Sequence, residues 1–154
     1  MISYAELLIK HILGGNAYIE LEEILKKIDY HKIGIKYGGL PYSFWQILEH
    51  MRIAQKDILD FSEGTDYKTL KWPDEYWPDT TTPLSVEDWE NTKNDFFKDR
   101  KRFNTLLSSH NENLLTPFNH GEGQNLFREA LLVIEHNAYH TGQLMLLSRI
   151  LDEV

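Results

Sequence analysis

Apolar residues in this chain recur at three- and four-residue spacing through four separate stretches, and no stretch alternates apolar with polar residues at period two. A chain patterned only for helical stripes has to bury them against one another, so the expected fold is all-α, a four-helix bundle with long connecting loops. Its 154 residues fit a single domain spanning 1–154, large enough to hold a core without staples.

The first stretch runs from Ser3 to Asp29 through Leu7, Leu8, Ile12, Tyr18, Ile19, Ile24 and Ile28. Gly14-Gly15 interrupts it, at a cost of about 1 kcal/mol per glycine in a helix interior, and predicts a kink or a close backbone approach. After Gly38-Gly39-Leu40-Pro41, Ser43 reads as an N-cap with Gln46 at the third helical position, and the second helix extends to about Phe61. Ser62 to Pro83, with Trp72-Pro73 and Trp77-Pro78, is too long and proline-rich for an ordinary connection. Such a segment can cross a bundle and cover something. Ser85 opens a third helix, with Asp88 placed to complete the cap, and carries it to about Ser109. Asn111 to Gly123 is a second loop, and Asn125 to Asp152 is the fourth helix.

On that fourth helix His136 and His140 stand four apart, so their imidazoles project side by side from neighbouring turns. With seven histidines in the chain, some pair at this spacing has on the order of one chance in three, so facing must decide. A helical projection puts both on an apolar stripe with Leu132, Val133, Gln143, Leu144 and Leu147. The same projection groups Gln46, Ile47, Ile53, Ala54, Asp57 and Phe61 around an inward-facing His50 on the second helix. If the two helices are neighbours, three imidazoles meet in the core. Without a metal or a dense polar network they would leave costly unsatisfied nitrogens. His11, His31 and His110 lie near helix ends or on other patterns. His120 sits in a loop before the fourth helix, where it could border the site.

The absence of cysteine removes disulfides, thiolate ligands and cysteine nucleophiles, leaving nitrogen and oxygen as metal donors. A net charge of −8 speaks against nucleic-acid and anionic-membrane partners. No run of 18 apolar residues and no basic leader followed by an apolar core is present, so the expected address is cytoplasmic. A second stripe on the fourth helix, Phe127, Leu131, Ile134, Ala138 and Met145, either packs on the other helices or faces a second copy in a homodimer.

The residues from Gly39 to Phe61, Trp72-Pro73-Asp74-Glu75-Tyr76-Trp77-Pro78, and the stretch from His120 through Gln143 resemble the DinB-like superfamily of bacterial four-helix-bundle proteins. That resemblance implies a divalent-metal site made of one histidine on the second helix and an H-x-x-x-H pair on the fourth, here His50, His136 and His140. Tyr42 stands where many relatives have histidine, so an imidazole role at that place is missing. The superfamily includes S-transferases that use the metal to activate a low-molecular-weight thiol such as bacillithiol, mycothiol or glutathione. Its name comes from a DNA-damage-inducible relative and implies no DNA contact.

Three neutral imidazoles would leave a divalent ion its full charge and open positions for a thiol or water, which gives a metal-dependent transferase or hydrolase acting on a small molecule. The rival is a non-catalytic stress-response or metal-binding dimer with a structural ion. A zinc peptidase is disfavoured, because Asn137 stands where the general-base glutamate would follow the first histidine. Nitrogen-rich ligation suits zinc or nickel and admits iron or manganese. Gln46, Asp57 and Gln143 share the ligand faces and could orient an imidazole. Trp72, Tyr76 and Trp77 either line a substrate pocket or cap the bundle end.

Overall fold

A computed structural model of the chain describes residues 2–64 and 66–153. Among the described residues five α-helices make the fold: α1 (Tyr4–Ile12), α2 (Leu21–Leu25), α3 (Phe44–Glu63), α4 (Val86–Ser109) and α5 (Leu126–Asp152). Short 3-10 turns lie at Tyr30–Lys32 and Asp74–Tyr76, and the described residues contain no strand beyond an isolated Pro117–Asn125 bridge.

The single first helix expected from Ser3 to Asp29 is two. A capping box between Ser3 and Glu6 starts α1, and Gly14 and Gly15, at φ of +82° and +74°, end it. Those angles belong to the left-handed region, where a Cβ is strained, so the glycine pair breaks the helix outright. Asn16 donates its side-chain amide to the carbonyls of Lys10 and Gly14, satisfying groups the break would orphan. α2 then takes up the remaining stretch, and Glu22 pairs with Arg100 of α4.

The other three helices keep their expected starts. Ser43 and Gln46 form a complete capping box on α3, Ser85 caps α4, and Asn125 caps α5. Asp88 reaches back to the Leu84 amide at 2.9 Å.

Two apolar clusters divide the core along the bundle axis. One gathers Leu21, Ile24, Phe44, Leu48, Met51, Trp89, Phe96, Leu144 and Leu151. The other gathers Ala5, Leu8, Ile12, Leu59, Phe103, Leu107, Leu126 and Val133. Following each helix from cluster to cluster gives the topology: α3 and α4 run the same way, while α5 and the broken α1–α2 pair run against them. Parallel neighbours cannot be joined by a short turn, so the connection from 64 to 85 returns along the whole bundle. It starts at the Gly64 C-cap of α3 and reaches the other end of that helix, where Ser43 Oγ donates to the Thr81 carbonyl at 2.6 Å. The proline-rich loop is therefore a strap laid lengthwise over α3.

The second apolar stripe of α5 is mostly absorbed within the chain. Phe127 and Ile134 pack on one cluster and Met145 on the other, whereas Leu131 stays exposed. No helix among the described residues is long and apolar enough to cross a membrane.

Candidate metal centre

Between the two apolar clusters, antiparallel α3 and α5 set His50 opposite His136 and His140. The ring centroids lie 5.0 Å apart for His50 and His136, 4.8 Å for His50 and His140, and 4.5 Å for His136 and His140. His136 Nε2 stands 3.1 Å from His50 Nε2. Two nitrogens sharing an ion at about 2.1 Å each are about 3.0 to 3.4 Å apart in octahedral or tetrahedral arrangements, so this pair already has ligand spacing. One donor atom from each of the three residues falls within 4.8 Å of the others, making a group able to hold a metal ion.

In two of the three rings the other nitrogen is tied outward. His50 Nδ1 donates to the Tyr76 carbonyl at 2.8 Å, and His140 Nδ1 donates to Gln143 Oε1 at 2.7 Å. Each bond fixes a tautomer whose Nε2 lone pair is free to ligate. Trp77 lies flat on His50, at 3.9 Å and 2°, and Tyr42 stacks on the far side of Trp77 at 3.8 Å. The strap thus supplies both the carbonyl that orients His50 and the ring that covers it.

Electrostatics favour the ligand-ready form. Burial pushes His136 down to about 3, with the neighbouring His140 and His50 adding to the effect and Asn137 opposing it. Burial also lowers His140 to about 4 against the hydrogen bond it donates to Gln143, and it lowers His50 against the bond to the Tyr76 carbonyl. All three are neutral at pH 7, which is the form that binds metal.

The remaining expected residues separate into those at the centre and those elsewhere. Gln143 meets an imidazole directly. Gln46 instead closes the α3 cap, with Oε1 accepting from the Ser43 amide at 3.1 Å. Asp57 touches no imidazole: its two oxygens accept the hydroxyls of Tyr67 at 3.0 Å and Tyr76 at 2.7 Å, anchoring the strap to α3. Burial and that carboxylate raise both phenols above their ordinary range. His120 is placed away from the cluster, donating Nε2–H to the Phe61 carbonyl at 2.8 Å and stacking on Phe118. It borders a different cavity, with Ser62, Leu106 and His110.

A cavity of about 460 Å³ opens onto the three histidines. Trp72, Tyr76 and Trp77 line it from the strap, Ala54, Asp57 and Ile58 from α3, and Leu132 and Tyr139 from α5. Tyr67 and Tyr139 had no signal in the sequence that tied them to this place. Behind the histidines, Asn137 Nδ2 donates to Gln55 Oε1 at 3.1 Å and Gln55 Nε2 donates to the Phe96 carbonyl at 2.8 Å, so the buried polar layer continues to α4.

Fold and site together define a helical bundle whose inward-facing three-histidine group is compatible with metal binding. The chain belongs to the DinB superfamily, whose family profile matches residues 17–144, a span that holds the strap and all three histidines. No curated protein and no solved structure matches it.

Proposed function

We propose that this protein is a metal-dependent enzyme in which His50, His136 and His140 hold a divalent ion, with a low-molecular-weight thiol or water as the activated group. The observation that carries the reading is the convergence of three imidazoles, with the Nε2 atoms of His50 and His136 facing each other and the Nδ1 atoms of His50 and His140 tied outward. A divalent ion there supplies a Lewis acid that lowers the pKa of a thiol or water toward neutrality. The chain's own residues do the rest. Tyr76 and Gln143 hold two imidazoles in register, Trp77 shields His50 from water, and the aromatic cavity positions the reaction partner.

The donor set of three neutral nitrogens suits zinc or nickel, with iron or manganese admitted if waters complete the shell. The cavity beside the histidines favours catalysis over a closed structural site, which would leave no room for a substrate. The cysteine-free composition suits a cytoplasmic setting where small thiols are abundant. A homodimer is also proposed, on the exposed Leu131, Tyr139 and Leu146 of α5, and light scattering of the purified protein tests it.

Metal analysis followed by thiol-conjugation and hydrolysis assays, with and without chelator, tests the function. The expected result is one divalent ion per chain and turnover abolished by chelation. A protein that takes up neither zinc nor nickel overturns the metal site. A fully loaded protein without conjugation or hydrolysis across a panel of thiols and electrophiles favours the structural ion instead.

A further inference from the structure

Among the described residues, Asp57 is the one formally charged side chain in the wall of the cavity over the histidines, and no lysine or arginine lines it. Among the described residues Asp57 has no ion-pair partner. The two tyrosine hydroxyls occupy one acceptor site on each oxygen, and a carboxylate offers about four. Anchoring the strap therefore leaves acceptor capacity unused.

The rest of the wall points the same way. Trp72, Tyr76, Trp77 and Tyr139 surround the cavity, and aromatic faces attract cations and repel anions. The net charge of −8 adds to this preference at longer range.

The geometry also sets a size. Asp57 lies seven residues beyond His50 on α3, roughly 10 Å along the helix axis. Tyr76 spans that interval, with its carbonyl 2.8 Å from His50 Nδ1 and its hydroxyl 2.7 Å from Asp57. The two ends of the cavity are thus one tyrosine apart.

We propose that Asp57 is a specificity-determining residue, and that the reaction partner filling this cavity is an organic ammonium with an aromatic or aliphatic body about the length of phenethylamine, its charged end on Asp57 and its other end at the histidines. This rests on the reading of His50, His136 and His140 as the reacting centre and deepens it.

The test uses the full chain, metal-free, titrated with 2-phenylethylammonium, 2-phenylethanol and 3-phenylpropionate, with binding read from the fluorescence of Trp72 and Trp77 and by calorimetry. The ammonium binds at least about 10-fold more tightly than the alcohol, and the propionate binds least. Asp57→Asn keeps an acceptor for the tyrosines and removes the charge, so it weakens the ammonium about 10-fold while leaving the alcohol unchanged. Equal binding of ammonium and alcohol by the wild-type protein, or an ammonium preference that survives Asp57→Asn, overturns the proposal and leaves Asp57 as a strap anchor only. Should Asp57→Asn not fold, the wild-type ranking decides alone. Zinc uptake measured in parallel separates the two readings: lost ranking with intact uptake removes this inference, whereas absent uptake with intact ranking removes the metal centre.

Discussion

Two histidine environments in this molecule invite comparison. His50, His136 and His140 turn nitrogens toward one another at the waist of the bundle, while His120 sits alone in the loop before α5, exposed and bonded to a single backbone carbonyl. Both are held by aromatic stacking, so ring packing does not distinguish them. Convergence does. The waist histidines come from two antiparallel helices whose pairing aims three side chains at one point, and a solitary loop residue has no such partner elements.

That contrast is broken most directly by removing one member of each environment. His136→Ala should lower zinc affinity by more than about 100-fold, beyond the range for outer partners of a ligand, while His120→Ala leaves it unchanged. Competition titration against a coloured chelator measures both. Equal losses would mean that the convergence has no bearing on metal.

Acid sharpens the comparison from another side. His136 and His140 are depressed in the folded chain to about 3 and about 4, below the unfolded value of about 6.5. Between these values the unfolded chain takes up protons that the folded chain refuses. Stability of the metal-free protein is therefore fully present above pH 6.5 and is lost as the pH falls toward 4, by up to about 1.4 kcal/mol per pH unit for each histidine. Urea denaturation at pH 7.5, 6, 5 and 4.5 should show this slope, and His140→Ala should reduce it.

A smaller effect is expected one bond further out. Gln143→Leu removes the acceptor for His140 Nδ1–H and should weaken zinc binding about 10-fold, toward the lower end for such partners. An unchanged affinity would show that α5 packing alone orients the ring.

Much of this was legible in the chain, because caps and periodic stripes are local. Ser43 with Gln46, Ser85 and Asn125 mark helix starts through hydrogen bonds made within three residues, and the structure keeps them. Gln143 sits three residues past His140 on the same helix, so its contact follows from spacing. The glycine pair was legible as a weakness, but whether it kinks or breaks a helix depends on the left-handed angles that Gly14 and Gly15 adopt. The strap's part was hidden for a different reason. The group that orients His50 is a main-chain carbonyl, which has no residue signature, and it is placed by the lengthwise return from α3 to α4. Gln46 and Asp57 share the face of His50, yet nearer partners claim them: the cap takes one and two tyrosines take the other.

The facing nitrogens of His50 and His136 belong to residues 86 positions apart in the chain. An ion held by both would close a long loop and remove from the unfolded ensemble the freedom that loop otherwise has, a gain that grows slowly with length. In a sequence without cysteine, the waist of the bundle is the place where a reversible cross-link can form, and how often the chain opens would then follow the supply of metal.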